Sequence, residues 1–231
     1  MHRDENQSDA VFIVIAAYNE EKAIVDVLRS LAPVCPNVVV VDDGSKDNTY
    51  EVCRPHATWT LRHPVNRGQG AALQTGISFA LQQGADIVVT FDADGQHRPE
   101  DIAKLTTALK EQRCDIALGS RFLGTTEALP FSKRVVLKAA VVFSTLLSGL
   151  KLTDTHNGLR ALTRRAAEQI DIKLDRMAHA SELLDQIAKT KLPYCEVPVH
   201  VRYTEYSMEK GQRLGNAPSI LFHYLIGKAL K

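Results

Sequence analysis

The sequence has few cysteines, no excess of charge of either sign and no long uninterrupted hydrophobic run. Its 4 cysteines are widely spread with no CxxC pair, which argues against a structural zinc site and a secreted disulfide framework. With 28 basic and 27 acidic residues the net charge is +1, so no overall field attracts nucleic acid or an anionic membrane. We therefore expect a cytoplasmic protein that recognises its partners locally, with no nucleic acid among them.

Segments that could enter a membrane are also scarce. The first ten residues, MHRDENQSDA, are polar and predict neither a signal peptide nor an anchor. The most apolar later stretch, Val135 to Leu152, is interrupted by Lys138 and several hydroxyl residues, which disfavours a spanning helix. This stretch and the final apolar segment, Ala217 to Leu230, are both flanked by lysines. Peripheral attachment to the cytoplasmic face of a membrane is therefore an open alternative.

Apolar residues are plentiful enough for one sizeable core, at 45% of the 231 residues. Short β-branched runs alternate with segments of helical periodicity, which predicts a mostly parallel central sheet flanked by helices. Strands are predicted at Val11–Ala17, Val38–Val41, Ile87–Phe91, Asp115–Gly119 and Cys195–Val201. Helices are predicted at Glu21–Leu31, Asp47–Cys53, Gln69–Gln82, Pro99–Gln112, Arg134–Leu150 and Met177–Lys189. The pattern indicates an α/β fold.

Polar strings follow three of these strands where each one ends. They read AYNE after the first, DDGS after the second and DADG after the strand that precedes Asp92. In open sheets of this kind, ligands bind outside the carboxyl ends of the strands. We expect the three acidic strand ends to converge on one cleft.

Asp92 and Asp94 lie two residues apart at a strand end. In an extended conformation both carboxylates would project to the same side and could share one hard cation, Mg²⁺ or Mn²⁺. Such a cation would neutralise the charge that develops on a diphosphate leaving group. A lone DxD is more typical of a solvated turn. An EF-hand is excluded because Ala103 stands where that loop requires glutamate.

Two further motifs would suit a nucleotide. Asp43, at a strand end, could accept hydrogen bonds from a nucleobase, although a turn with a helix cap at Ser45 or Asp47 explains the same string. Gly70 in NRGQGAA would let the backbone approach a nucleotide, although a plain helix start is equally consistent. This string is neither GxGxxG nor a P-loop, which disfavours dinucleotide oxidoreductases and P-loop NTPases.

Four arginines lie near predicted loops or helix starts: Arg121, Arg134, Arg160 and Arg202. A guanidinium suits phosphate oxygens in bidentate geometry. Each arginine taken alone is more typical of a surface ion pair. Their value as phosphate ligands depends on whether folding brings them to one cleft.

The strings AAYNEE, VVDDGSKDNT, NRGQGAA and FDADGQHRPEDI, in this order, resemble the inverting family 2 glycosyltransferases of GT-A fold over roughly the first two thirds of the chain. GSRF, Lys133-Arg134 and THNGLR look like the branch of dolichyl- and polyprenyl-phosphate sugar synthases. The resemblance implies a single GT-A-like domain over residues 1–231. Residues 10–122 would bind the nucleotide sugar, and residues 123–231 would form the acceptor side with a mobile loop at 203–215.

The resemblance also implies roles for individual residues. A nucleoside pocket would be lined by Ala17, Tyr18, Glu20 and Asp43, and the metal would be held by Asp92, Asp94 and Gln96. Arg121 and Arg134 would face phosphates. Asp154 and Glu182 are the candidates for a catalytic base, which a lipid phosphate acceptor would not need because its oxygen is already ionised.

Two departures from the family pattern are visible in the sequence. Ala16 stands where the family usually has proline, and the C-terminal transmembrane helices of many relatives are absent. The second departure leaves the acceptor open between a polyprenyl phosphate and a soluble or saccharide acceptor. Two further alternatives remain, namely a nucleotidyltransferase and a non-catalytic module that binds a nucleotide sugar. Release of nucleoside diphosphate, of pyrophosphate or of neither would distinguish the three classes.

Overall fold

The computed structural model describes residues 9–127, 131–172 and 179–203. The helices are α1 Ile24–Leu31, α2 Thr49–Cys53, α3 Gln69–Gln82, α4 Glu100–Glu111, α5 Phe131–Ser148, α6 Arg164–Ala167 and α7 His179–Thr190. The strands are β1 Val11–Ala17, β2 Val38–Asp42, β3 Trp59–Arg62, β4 Ile87–Thr90, β5 Ile116–Glu127, β6 Arg160–Thr163 and β7 Tyr194–Arg202. The predicted segment Ala217 to Leu230 lies outside the described residues, as does the predicted loop beyond residue 203.

All seven strands form one sheet in the order β3-β2-β1-β4-β6-β5-β7. The first four strands in this order are parallel, and β7 is parallel to β5, whereas β6 runs antiparallel to both β4 and β5. The α/β class and the mostly parallel sheet are therefore confirmed. The sequence patterns missed β3 and β6, which have four residues each, because so short a run carries little periodicity.

Helices cover both faces of the sheet. Successive residues of the inner strands point to opposite faces and therefore enter two separate core clusters. The first core cluster receives Ile13 and Ile15 of β1 together with residues of α1 and α4. The second core cluster receives Phe12 and Val14 together with residues of α3, α6 and α7. α3 lies so close to β1 that a Cβ added at Gly76 would come within 2.3 Å of a methyl carbon of Val14. This close packing fixes where the first turn of α3 meets the strand ends.

β5 is longer than predicted, since it ends at Glu127 rather than near Gly119. Its register with β7 shifts between Ser120 and Thr125, and pairing then continues to the end of β7. His97 forms an isolated bridge with Val201 of β7. The ends of β5 and β7 are therefore bound to the segment that follows β4.

Candidate active site

The strings AYNE, DDGS and DADG meet at one edge of the sheet, because β1 lies between β2 and β4. Hydrogen bonds join the first two loops: Asp43 N donates to Ala17 O (2.8 Å), Asn19 N to Ser45 Oγ (2.9 Å) and Glu20 N to Thr49 Oγ1 (2.7 Å). Tyr18 is exposed, at 37% of its surface. Asn19 adopts φ 54°, a conformation that asparagine tolerates better than most residues. The expected convergence of strand ends is confirmed.

Asp43 is bound by the protein's own donors. Its Oδ1 lies 2.8 Å from His63 Nδ1 and accepts from Arg67 N at 3.0 Å, and its Oδ2 accepts from Gly68 N at 2.6 Å. The residue is only 2% exposed. Asp43 therefore anchors the loop that leads into α3. The base contact predicted for it stays a prediction, and the burial of its carboxylate leaves little access for a base.

A cavity of about 310 Å³ opens next to this anchored carboxylate. Its lining consists of Gly44, Ser45, Arg62, His63 and Pro64. Arg62 lies with its Nε 3.1 Å from the buried Asp42 Oδ2 and donates to Ser45 O at 3.2 Å. Asp42 and Asp43 thus act on the cavity indirectly, by fixing the arginine and the histidine in its wall.

Asp92 and Asp94, hereafter the carboxylate pair, are not part of an extended strand as the sequence argument assumed. β4 ends at Thr90, residues 93 and 94 form a turn, and Gly95 has φ +73°, which only glycine adopts without strain. Asp92 Oδ2 lies 2.9 Å from His97 Nε2, and its Oδ1 lies 3.4 Å from Gln69 Nε2. Asp94 Oδ1 accepts from the backbone amide of Gln96 at 3.1 Å.

The charge on the carboxylate pair is incompletely neutralised. Burial, and then the negative charge of Asp92, raise the pKa of Asp94 to about 6, while His97 and the Gln96 amide act in the opposite direction. Oxygen ligands of this type suit a hard divalent cation. No group of three or more acidic, histidine or cysteine side chains that could hold a metal occurs among the described residues.

Two carboxylates nevertheless fit Mg²⁺ or Mn²⁺ chemically. Mg²⁺ typically binds through one or two carboxylates and completes its coordination with water and substrate phosphates. The protein would thus supply part of the coordination sphere and the nucleotide the rest. That Gln96 adds a ligand stays a prediction.

The loop before β6 packs directly against Asp92. A Cβ added at Gly158 would lie 2.2 to 2.4 Å from the carboxylate atoms of Asp92. Thr90 Oγ1 donates to Gly158 O at 2.6 Å, which holds the loop at the end of β4. Only a residue without a side chain leaves Asp92 in this position.

Arg121 differs from its predicted role as a phosphate-facing residue. Its Nε donates to Asp154 Oδ2 at 2.6 Å, Nη1 donates to Tyr203 Oη at 2.5 Å and Nη2 donates to His156 O at 2.9 Å. Arg121 is 7% exposed and Asp154 is 3% exposed. All three guanidinium nitrogens are engaged, so in this structure Arg121 joins β5, the loop at 153–157 and the end of β7.

The remaining predicted residues are dispersed. Gly70 is buried in the first turn of α3, whereas Arg134 is exposed on α5. Glu182 is 3% exposed at the start of α7, whose leucines enter the second core cluster. The Arg202 side chain is 66% exposed, with its Nε 3.9 Å from Glu127 Oε2. The structure therefore does not gather the four arginines into one cluster.

Three residues of the site escaped the sequence analysis: His63, His97 and Gly158. His97 follows Gln96 directly in FDADGQH, so its proximity to the carboxylate pair was a usable signal. His63 contacts Asp43, 20 positions away in the chain, and Gly158 contacts Asp92, 66 positions away. No local sequence pattern therefore indicates either contact.

Comparison with known proteins supports the resemblance. Residues 12–171 match the family model described as Glycosyl transferase family 2. An uncharacterised protein of Methanocaldococcus jannaschii is 39% identical over 230 residues, which covers 97% of this chain and 95% of that protein. A UDP-N-acetylglucosamine--dolichyl-phosphate N-acetylglucosaminyltransferase of Methanococcus voltae is 35% identical, covering 94% of this chain and 96% of that protein.

The fold is also similar to that of a solved enzyme. The glucosyl-3-phosphoglycerate synthase of Mycobacterium tuberculosis superposes with a TM-score of 0.73, covering 95% of this chain and 78% of that chain. The two sequences are 20% identical, so the likeness concerns the fold alone.

Proposed function

The chain belongs to glycosyl transferase family 2, and from that premise we propose that it transfers a sugar from a nucleotide-diphosphate donor to a polyprenyl phosphate with a divalent cation bound at Asp92 and Asp94. The observation that carries the proposal is the carboxylate pair at the edge of the sheet where three parallel strands end. A cation there would stabilise the negative charge that develops on the leaving diphosphate.

Donor and metal are supported by two comparisons. The Methanococcus voltae relative is named for a UDP-linked sugar. The Mycobacterium tuberculosis synthase has been solved with Mn²⁺ and UDP-glucose, and with Mg²⁺ and UDP. For this chain we propose Mg²⁺ or Mn²⁺, with His97 and Gln69 holding Asp92 in place and Gly70 giving the diphosphate access to the first turn of α3.

A phosphate acceptor is supported by the state of the two candidate bases. Asp154 is buried and accepts from Arg121, and Glu182 is buried at the start of α7. A phosphate monoester carries ionised oxygens at neutral pH, because its second pKa is near 6, so it needs no strong base to attack the sugar. The Methanococcus voltae relative and a polyprenol monophosphomannose synthase of Mycolicibacterium smegmatis, 32% identical over 69% of this chain, are named for such acceptors.

One face of α5 would let the protein reach a lipid phosphate. Val135 and Val142 are 51% and 61% exposed, and the exposed residues Lys138 and Ala139 lie between them at helical spacing. Among the described residues, none of the helices combines the length and apolar character that crossing a bilayer requires. We propose that this face docks reversibly on the membrane surface, with Lys138 directed toward the headgroups.

The proposal is tested by transfer assays with labelled nucleotide sugars, Mn²⁺ and a polyprenyl phosphate in detergent. We expect label in the organic-extractable product and one nucleoside diphosphate released for each sugar transferred. The matched control is the corresponding polyprenol, which lacks only the phosphate and should accept no sugar.

Other outcomes would contradict specific parts of the proposal. Equal transfer to the alcohol, or label only in water-soluble product, would refute the phosphate acceptor. Release of pyrophosphate would instead indicate a nucleotidyltransferase. Donor binding without release of any leaving group would indicate a non-catalytic module.

A further inference from the structure

A second buried arginine lies near the carboxylate pair, and unlike that of Arg121 its guanidinium has no hydrogen-bonding partner among the described residues. Arg160 begins β6 and is 4% exposed. Within the described residues its guanidinium forms no hydrogen bond and no ion pair within 4 Å, whereas the equally buried Arg121 uses all three of its nitrogens. Burying an unpaired charge is costly, so such a group indicates a ligand.

The register of the sheet locates this arginine at the cleft. Arg160 pairs with Thr90 of β4 and with Leu118 of β5. The Thr90–Arg160 pair is the last of the β4–β6 ladder, and Asp92 and Gly158 each lie two residues beyond it. Arg160 thus occupies the level of the sheet next to the carboxylate pair.

The same register places Arg160 on the face of the sheet that α3 covers. Successive side chains of a strand point to opposite faces, and Leu118 and Leu162, on the same face as Arg160, belong to the second core cluster with residues of α3. The guanidinium nitrogens are not among the described polar atoms that are fully buried without a partner.

Two acids near Arg160 attract it without hydrogen-bonding to it. Burial lowers the pKa of Arg160, and the charges of Asp92 and then Asp154 raise it. Asp154 is bound by Arg121, and Asp92 is bound by His97 and Gln69. The nearby acids therefore leave the donors of Arg160 available.

The first turn of α3 adds further donors. No described group accepts a hydrogen bond from the backbone amides of Gln69, Gly70 or Ala71. Free amides at a helix N-terminus carry partial positive charge and favour anions. α3 has 14 residues, and the side chain of Gln69, its first residue, contacts Asp92. Arg160 and the start of α3 thus both border the carboxylate pair.

We propose that Arg160 is a phosphate ligand, whose guanidinium and the first-turn amides of α3 receive oxygens of the donor's diphosphate. This assignment rests on the proposed function, because it names a ligand for the same cleft. The planar guanidinium of Arg160 offers up to five N–H donors that match phosphate oxygens in bidentate geometry. When the sugar–phosphate bond breaks, the bonding electrons remain on the leaving diphosphate, and a fixed guanidinium would stabilise that charge.

The test uses inorganic pyrophosphate as the probe, because the base and sugar of the donor are then irrelevant. Calorimetry with Mn²⁺ present would compare the wild type with Arg160→Gln, Arg160→Lys and the control Arg165→Gln. Arg165 is also on the β6–α6 segment, but its side chain is 62% exposed and pairs with Asp115. We expect roughly 10- to 100-fold weaker binding for Arg160→Gln, as for a lost charged hydrogen bond, and a smaller loss for Arg160→Lys. Arg165→Gln should stay within about twofold of wild type, as expected for an exposed ion pair.

Thermal unfolding without ligand separates this role from a structural one. Because the Arg160 guanidinium has no partner in the part of the chain that the structure describes, Arg160→Gln should unfold at the same or a higher temperature than wild type. Unchanged pyrophosphate affinity, or no measurable binding by wild type, would overturn the assignment and leave Arg160 as a counter-ion of Asp92 and Asp154. If Arg160→Gln fails to fold, the pyrophosphate affinity of Arg160→Lys is the test instead. Weaker binding by Arg160→Lys supports the assignment, and wild-type affinity overturns it.

A second titration identifies the source of the phosphate. Farnesyl phosphate serves as a short analogue of the acceptor. An affinity loss confined to farnesyl phosphate would overturn the assignment to the donor. Sugar transfer by wild type with normal pyrophosphate binding by Arg160→Gln would refute this inference alone. Pyrophosphate binding through Arg160 without any sugar transfer would refute the proposed function alone.

Discussion

The ends of β2 and β4 each carry two aspartates, and the surrounding protein treats the two pairs differently. Asp42 and Asp43 are at most 2% exposed, and their carboxylates lie next to Arg62 and His63 at the end of β3 and to backbone amides of the neighbouring loops. At the other pair, burial and then the negative charge of Asp92 raise the pKa of Asp94 to about 6. The aspartates at the end of β2 therefore stabilise the loops around the site, which we call the frame. The carboxylates at the end of β4 instead favour the binding of a cation.

The two buried arginines repeat this contrast. Arg121 is enclosed by Asp154, Tyr203 and a backbone carbonyl, so it stabilises the frame. Arg160 has no such partner among the described residues and lies near Asp92, whose negative charge raises its pKa. Of these two arginines, the one whose donors are occupied stabilises the surrounding structure, and the one whose donors are available borders the carboxylate pair.

Among the proposed variants, Asp94→Asn should cause the greatest loss of sugar-transfer activity. It removes half of the proposed cation site without changing side-chain size, so transfer should fall roughly 100- to 1,000-fold with the fold retained. Initial rates at saturating Mn²⁺ measure the loss, and circular dichroism checks the fold. Asp26→Asn is the control, because that side chain is 87% exposed, and it should leave the rate unchanged. An Asp94→Asn rate within threefold of wild type would refute the metal assignment.

Gly158→Ala tests whether the position of Asp92 matters as much as its charge. The new Cβ would lie 2.2 to 2.4 Å from the Asp92 carboxylate, so that carboxylate must move. A displacement of about 1 Å in an active site can cost roughly 100-fold in rate. We expect a loss of about that size together with weaker Mn²⁺ binding, measured by titration in the presence of pyrophosphate. Normal rate and normal Mn²⁺ affinity would show that the loop at 158 can give way.

Asp43→Ala should act on stability, because it leaves the Arg67 and Gly68 amides without their acceptor. The expected loss is roughly 2–4 kcal/mol in the free energy of unfolding, read from urea denaturation. Asp43→Asn retains one carbonyl acceptor and should lose less. Should Asp43→Ala instead keep wild-type stability and only weaken donor binding, Asp43 would be a base ligand rather than part of the frame.

The smallest expected effect is on the pH dependence of stability, and it distinguishes the two aspartate pairs in the ligand-free protein. Asp94 has a pKa of about 6 in the folded protein against an ordinary value of 3.8, so the folded state binds the proton more tightly. The stabilisation from this proton is complete at low pH and is lost as pH rises through about 6. With EDTA, Asp94→Asn should therefore exceed wild type in unfolding free energy by roughly 1–3 kcal/mol at pH 8, and by less at pH 5. Equal differences at both pH values would contradict the raised pKa of Asp94.

Much of the frame could be predicted from the sequence. The boundaries of β1 and α3 agree with the prediction, and those of β2 and α4 differ by one residue at an end, because β-branched runs mark the strands and apolar residues recur at helical spacing in the helices. The family and the α/β class were also predictable, because four ordered motifs carry far more information than one. The division into halves at residue 122 stays a prediction.

Other features had no local signal. The four-residue strand β6 enters the sheet between β4 and β5, although α5 and a loop separate it from β5 in the chain. The extended DxD geometry was wrong because the chain turns at residues 93 and 94, where Gly95 permits a positive φ. The phosphate-facing role predicted for Arg121 did not anticipate Asp154, a partner 33 positions away.

That three strands end in acidic strings and that these ends share one edge follows from the sequence alone, because strand periodicity and parallel connection are properties of local segments. Which of the charges are neutralised depends on the folded arrangement. Whether Asp43 or Asp94, or Arg121 or Arg160, retains unpaired charge depends on partners brought from distant positions, since electrostatic energy is set by distance and burial rather than by order along the chain.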